Sequence, residues 1–307
     1  MFVLPSLTGD YVRAFSLLMG ALGVLLVLVS MRVRPTAAAY VGISPLLVGS
    51  LIDSRFDLWP ALLVVSGLAA LVEERHRLGW ALLGVAVAAK LWPLALAPLA
   101  LAWSWRRGRA RAALAGLAAV AVWFVPFAVL APHGLESSVR GELSRPLQVE
   151  SLGAAFLTTF GHPTVITSHG SQNLSGEGAV AALEAAATIV ILAALWFAFA
   201  RGPATSERLL RFSAAATATV VAFGKVLSPQ FLIWLVPLVP LVRGRRGVGA
   251  TALLTAALLL TQVWFPRRYF EYVDGFQLAG VVLARDLVLV ALVAVLALPS
   301  ALRHVDA

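Results

Sequence analysis

Apolar residues fall in long runs along the chain, and charged residues gather in the gaps between them. The runs cover Tyr11–Ser30, Thr36–Leu51, Leu58–Val72, Leu78–Trp105, Ala112–Ala131, Gly178–Ala200, Phe212–Val242, Val248–Phe265 and Phe276–Leu302. The gaps carry compact charged strings such as "MRVRP", "DSRFD", "EERHR", "RRGRAR", "RGPATSERLLR", "RGRR" and "RRYFEYVD". Most runs approach the roughly 20 apolar residues that span a bilayer as a helix. One polar stretch, 132–177, interrupts the series. The pattern predicts an all-α polytopic integral membrane protein with about 8–11 transmembrane or re-entrant helices. It forms one transmembrane domain over 1–307, with 132–177 as an inserted extracytoplasmic loop.

Basic residues orient such a chain, because short cytoplasmic loops concentrate Lys and Arg. Placing "MRVRP", "EERHR", "RRGRAR", "RGPATSERLLR", "RGRR" and Arg303 on the inside puts 15 of the 24 basic residues there and makes the C-terminus cytoplasmic. Leu78–Trp105 and Phe212–Val242 then begin and end on the same side. Each must be a hairpin, with "KLWP" and "KVLSPQ" at the tips. Each arm of the first hairpin has roughly 12 residues, or about 18 Å at 1.5 Å per residue, short of the ~30 Å hydrocarbon core. A proline in each tip fits a break in the helix there.

Composition supports the membrane reading. Of 307 residues, 60% are hydrophobic and 13% charged, and mean hydropathy is +0.90. The net charge of +9 follows from the arginine clusters, so nucleic acid is not an expected partner. There is no cysteine, which excludes disulfides and thiolate metal sites. His162 and His169 have no ligand spacing with a carboxylate pair, no phosphate-binding glycine motif occurs, and no metal or cofactor is expected. The opening "MFVLPSLTGDYVRAF" carries no basic segment ahead of its first apolar run. It reads as the tail of an outer loop entering a membrane helix.

The two lysines, Lys90 and Lys225, both sit inside apolar stretches. Each can snorkel to an interface, or meet the phosphate of a lipid arriving through the bilayer. Arg55 and Asp57, in "DSRFDLWP", stand either in a solvated loop at a helix start or at the rim of a site. Arg145, Gln148 and Glu150, in "SRPLQVES", suggest an amphipathic segment on the membrane surface that contacts substrate, or a structural surface helix. "HGSQNLS" reads as polar and flexible, and Glu184 as interfacial. Arg285 and Asp286 either offset each other or present an arginine fork to phosphate.

Several strings together, "RFDLWPALLV", "GVAVAAKLWPLALAPLAL", "RPLQVESL", "GSQNLSG" and "KVLSPQFLIWLVPL", resemble the family 87 glycosyltransferases of the GT-C class, formerly a domain of unknown function. They occur in that family's order and span most of the chain. The resemblance implies an inverting hexosyltransferase in a bacterial plasma membrane. It would move a sugar, mannose by analogy, from a polyprenyl-phosphate donor to an extracytoplasmic glycan or glycolipid acceptor. Lys90, Lys225, Arg55 and Arg285 would hold the donor phosphate. Arg145, Gln148, Glu150, Ser228 and Gln230 would contact substrate. Family members begin with a further membrane helix and an outer loop bearing the catalytic aspartate. The expectation here is that this part precedes Met1, leaving Asp57, and after it Asp10, as the carboxylates available for the base. Two other readings stay open: a transporter or lipid-linked-sugar flippase built on the broken hairpins, and an inactive truncated remnant.

Overall fold

A computed structural model describes Ser6 and residues 10–298. Arg303 and the first residues of the opening string lie outside them. Nearly every described segment is helical. Long helices are α1 (Tyr11–Val33), α6 (Ala113–Leu130), α9 (Gly178–Arg201), α11 (Gly244–Trp264) and α13 (Ala279–Ala297). All 5 are long and apolar enough to cross a membrane, and the chain is a multi-pass membrane protein. Shorter apolar helices complete the bundle: α2 (Pro35–Ile43), α3 (Leu58–Val72), α4 (His76–Ala89), α5 (Ala97–Trp105) and α10 (Ser206–Phe223). Helix α6 buries only Gly116; Val122, Trp123, Phe127 and Leu130 stay exposed, as a lipid-facing helix requires.

Contacts sort the helix ends onto two faces. On one, Arg34 at the end of α1 donates to the Pro240 and Val242 carbonyls. Arg106 caps the end of α9 through the Ala200 and Gly202 carbonyls, and Arg211 caps the end of α13 through the Leu296 and Leu298 carbonyls. Carbonyls at helix ends lack intrahelical donors, and a guanidinium satisfies them while meeting the negative end of the dipole. Arginines read from sequence as topological thus also tie helix ends together.

Both sequence hairpins form. Helix α4 rises to Lys90, which is extended (φ −162°, ψ 140°), and the chain returns through a 3-10 turn, Trp92–Leu96, into α5. Helix α10 starts at Ser206, six residues before the apolar run, because Thr205 accepts from the Arg208 amide and supplies its N-cap. It rises to an extended tip, and the chain returns through Pro229–Phe231, Leu232–Leu235 and Val239–Leu241. The run Thr36–Leu51 is broken at Pro45 and at Gly49, whose φ of 65° favours glycine. Helices α4 and α6 touch backbone to backbone, since a Cβ on Gly84 would meet the Gly116 carbonyl.

The inserted loop is ordered. It holds α7 (Pro132–Leu143), α8 (Leu152–Phe160) and a three-stranded antiparallel sheet of β1 (Leu147–Gln148), β2 (Val165–Ser168) and β3 (Ser171–Leu174), in the order β1-β3-β2. Leu147 pairs with Leu174 and Gln148 with Asn173. This corrects two sequence expectations. "SRPLQVES" is no surface helix: Leu147 to Ser151 are buried, because β1 is the sheet's edge strand, paired with β3 on one side while the Gln148 amide donates to the Lys225 carbonyl of the bundle. "HGSQNLS" is the tip and return strand of a hairpin. A separate small core, with Leu147, Val149, Trp264, Tyr272 and Val282, joins the loop to α11, α13 and α12 (Tyr269–Gly275).

Candidate functional site

At the loop end of the bundle the Lys90 ammonium lies 2.6 Å from Asp57 Oδ1. The two are 33 residues apart in sequence. Trp234 Nε1 donates to the same oxygen at 2.6 Å. Asp57 is fully buried and makes no side-chain cap on α3; its Oδ2 has no hydrogen-bond partner. The lysine also faces three rings, Phe56, Phe231 and Trp234, at 5.1, 4.8 and 4.9 Å from their centroids. Trp234 stacks on Phe231 at 4.2 Å and on Trp92 at 4.9 Å. The cation therefore sits in an aromatic box with a carboxylate floor, which holds it at fixed position in low dielectric. Its side chain keeps 21% of its exposure, so the ammonium retains an opening. Arg55, which is exposed, and Glu142 both lie within electrostatic reach of it.

An apolar cavity of about 270 Å³ is lined in part by chain neighbours of the site residues. Gly20, Gly23, Gly42 and Val48 line it, together with Leu58, next to Asp57, and Ile233, next to Trp234. Nothing lies within 4 Å of a Cβ placed on Gly20, Gly23 or Gly42, so these positions leave room beside α1.

Lys225 is built differently. Its Nζ donates to the Leu143 carbonyl at 2.8 Å, and its own carbonyl accepts from the Gln148 amide at 2.9 Å. With Arg145, Ser144 and Glu177 it lines a cavity of about 430 Å³, whose lining does not include Lys90. Neither this cavity nor the apolar one is lined by both lysines that look matched in sequence. They flank the turn at the end of α7, where Arg145 pairs with Glu142 at 3.4 Å. Ser228 and Gln230 are half-buried in the hairpin tip beside Phe231.

Arg285 belongs to neither lysine. It is fully buried, with Nε 2.6 Å from Asp286 Oδ1, Nη2 donating to the Glu150 carbonyl at 2.9 Å, and its guanidinium over the Trp264 ring at 5.6 Å. Glu150 and Asp286 both face the Arg285 guanidinium, and Glu184 lies within electrostatic reach of Asp286. Burial pushes the Glu150 carboxyl up to about 7, and burial also raises the Tyr269 hydroxyl, whose side chain meets Glu150. Glu184, read as interfacial, is 6% exposed and accepts from the Gly153 amide. Asp10 is an exposed N-cap on α1, accepting from the Arg13 amide at 3.0 Å.

Sequence reasoning missed the box aromatics Phe56, Phe231 and Trp234, as well as Glu142. The signal for the aromatics was partial: "PQFLIW" places rings in a lysine-bearing tip, but beside Lys225 rather than Lys90, and "RFDLW" has no lysine near it in the chain. Among the described residues no group of three or more His, Cys, Asp and Glu could hold a metal ion. The chain matches no protein-family model and no curated protein.

Proposed function

We propose that this protein is a membrane hexosyltransferase that takes a sugar, mannose by family resemblance, from a polyprenyl-phosphate donor. The observation that carries the reading is the Lys90–Asp57–Trp234 constellation, a fixed cation with a residual opening, whose chain neighbours Leu58 and Ile233 line an apolar cavity. A lipid phosphate needs both parts, a charge for its head and an apolar channel for the start of its tail. Lys90 would meet the phosphate, with exposed Arg55 as a second cation. The Gly20 and Gly23 face of α1 would lie against the isoprenoid chain.

In the reaction the bond from sugar C1 to the phosphate oxygen breaks, and its electron pair leaves with the phosphate. A new bond forms from C1 to an acceptor hydroxyl, whose proton passes to a carboxylate. Developing charge on the leaving phosphate is stabilised by the preset ammonium, an effect worth about 10²–10³ in rate for one lost donor. Asp57 is sealed from solvent and committed to Lys90, so its part here is positioning. Glu142 is exposed and within reach of the Lys90 charge, and it is the better placed of the two to accept the acceptor's proton. The acceptor, an extracytoplasmic glycan or glycolipid, would approach over α7 and the sheet, past Arg145 and Lys225.

The test is transfer of radiolabelled mannose from polyprenyl-phosphate mannose to a glycolipid acceptor by the protein reconstituted in vesicles. Label in the acceptor, lost in Lys90→Leu and reduced in Glu142→Gln, is the expected result. Movement of lipid-linked sugar across the bilayer with no transfer would replace the proposal with a flippase.

A further inference from the structure

The opposite end of the bundle, where helix ends are tied together by arginines, holds a second polar cavity of about 560 Å³. It opens between the first turn of α4 and the turn Ala110–Ala112 that leads into α6. Arg75, Arg77, Arg109 and Arg111 line it, and Glu74 is the sole acidic residue among the described residues of the lining. That carboxylate is already engaged. It meets His76 Nε2 at 2.9 Å and Arg107 Nε at 2.7 Å, and the His76 hydrogen bond holds its carboxyl below the usual range.

The arginines here differ from the others at this end. Arg34, Arg106, Arg208 and Arg211 direct their guanidiniums onto backbone carbonyls. By contrast, Arg77, Arg109 and Arg111 are exposed and have no side-chain hydrogen bond or ion pair among the described residues. Arg75 reaches only Glu73, at 3.9 Å. Helix α4 has no side-chain cap, and its first intrahelical bond is Gly79 to Arg75. The amides of His76, Arg77 and Leu78 therefore point free of the helix. Like charges gathered around one concavity repel, and a bound anion relieves that repulsion. The volume falls within the ~300–1,000 Å³ of small-molecule sites.

We propose that this cavity binds a phosphate-bearing anion, held by the forks of Arg77, Arg109 and Arg111 and by the free amides at the start of α4. Guanidinium forks match phosphate oxygens two at a time, and a helix start adds aligned donors. The same chemistry is offered by an anionic phospholipid headgroup or by a soluble phosphate compound. The site is remote from Lys90 and does not depend on the proposed transfer activity.

The full chain in phosphatidylcholine nanodiscs is tested in two arms. One adds phosphatidylglycerol and counts retained lipid by native mass spectrometry. The other adds inorganic pyrophosphate and reads the rise in Tm. Retention of phosphatidylglycerol identifies a headgroup site, and a rise with pyrophosphate a soluble-ligand site; either supports the proposal. The R77Q/R109Q/R111Q variant should weaken binding about tenfold or more, since losing even one of the charge-assisted hydrogen bonds of three arginines accounts for that factor. A control removing three other exposed arginines at the same end, R32Q/R201Q/R245Q, should stay within about twofold. If the glutamine variant does not fold, R77K/R109K/R111K keeps the charge and should still weaken binding, because lysine lacks the fork. No effect in either arm, or an equal loss in the control, overturns the proposal.

Discussion

Lys90 and Arg285 are both cations inside the bundle, and they are satisfied in opposite ways. Lys90 has one carboxylate, one indole donor sharing that carboxylate, and three aromatic faces. Arg285 has two carboxyls beside it, Asp286 and Glu150, and it and Asp286 keep atoms without hydrogen-bond partners. The first arrangement balances one charge with one charge and leaves the ammonium an opening. The second sets two buried carboxyls against one sealed guanidinium, and burial raises the loop carboxyl of the pair, Glu150. A balanced, half-open cation is suited to bind an arriving anion; an overloaded, sealed cluster is suited to respond to pH.

Removing Lys90 should break that contrast most. Lys90→Leu leaves the buried Asp57 without its cation, which costs about 3–5 kcal/mol. The purified protein should show a Tm lowered by several degrees. Adding Asp57→Leu should recover most of the loss, because apolar residues can replace a buried pair at little cost. Equal destabilisation in the single and double variants would mean the pair is not the unit proposed.

The Arg285 cluster should reveal itself through pH. Glu150 is raised from its ordinary value of 4.5 to about 7. Its stabilising effect is full below pH 4.5, falls as the pH climbs toward 7 and levels off above. Across that window the fully buried group accounts for roughly 3 kcal/mol. Unfolding of wild type against Glu150→Gln between pH 4.5 and 7.5 checks the sign. Wild type should lose stability relative to the variant as pH rises, and parallel curves would remove Glu150 from the account.

Smaller effects sharpen the geometry. Gly84→Ala should force α4 and α6 apart and cost about 1–3 kcal/mol through overpacking, measured as a lowered Tm. Trp234→Phe keeps the ring under Lys90 but deletes the donor to Asp57. A loss of about 1–2 kcal/mol is expected, and no change would mean the indole bond adds nothing to the floor of the box.

The helical membrane fold, both hairpins and their tips are legible in the sequence, because apolar length and arginine placement are local signals. Lys90 and Asp57 were each visible as charges with no topological reason. Their partnership was not, since 33 residues separate them and they meet only once α3 and α4 fold back on each other across the turn 73–75. Arg285 and Asp286 are neighbours, so that pairing could be read directly. The crowding by Glu150 and Glu184 could not, because those carboxyls arrive from a loop strand and from α9. The same holds for "RPLQVES", whose mixed polarity looks like a surface segment. Its Glu150 instead joins the buried Arg285 cluster, while Arg145 pairs with Glu142.

The central claim is that Lys90 is held in place to receive a lipid phosphate. The most direct measurement is mannose transfer from polyprenyl-phosphate mannose by the K90L/D57L variant, compared with wild type after both are shown to unfold at similar temperatures. The account predicts a folded protein with transfer reduced by about a hundredfold or more. Transfer at the wild-type rate in that folded variant would contradict it.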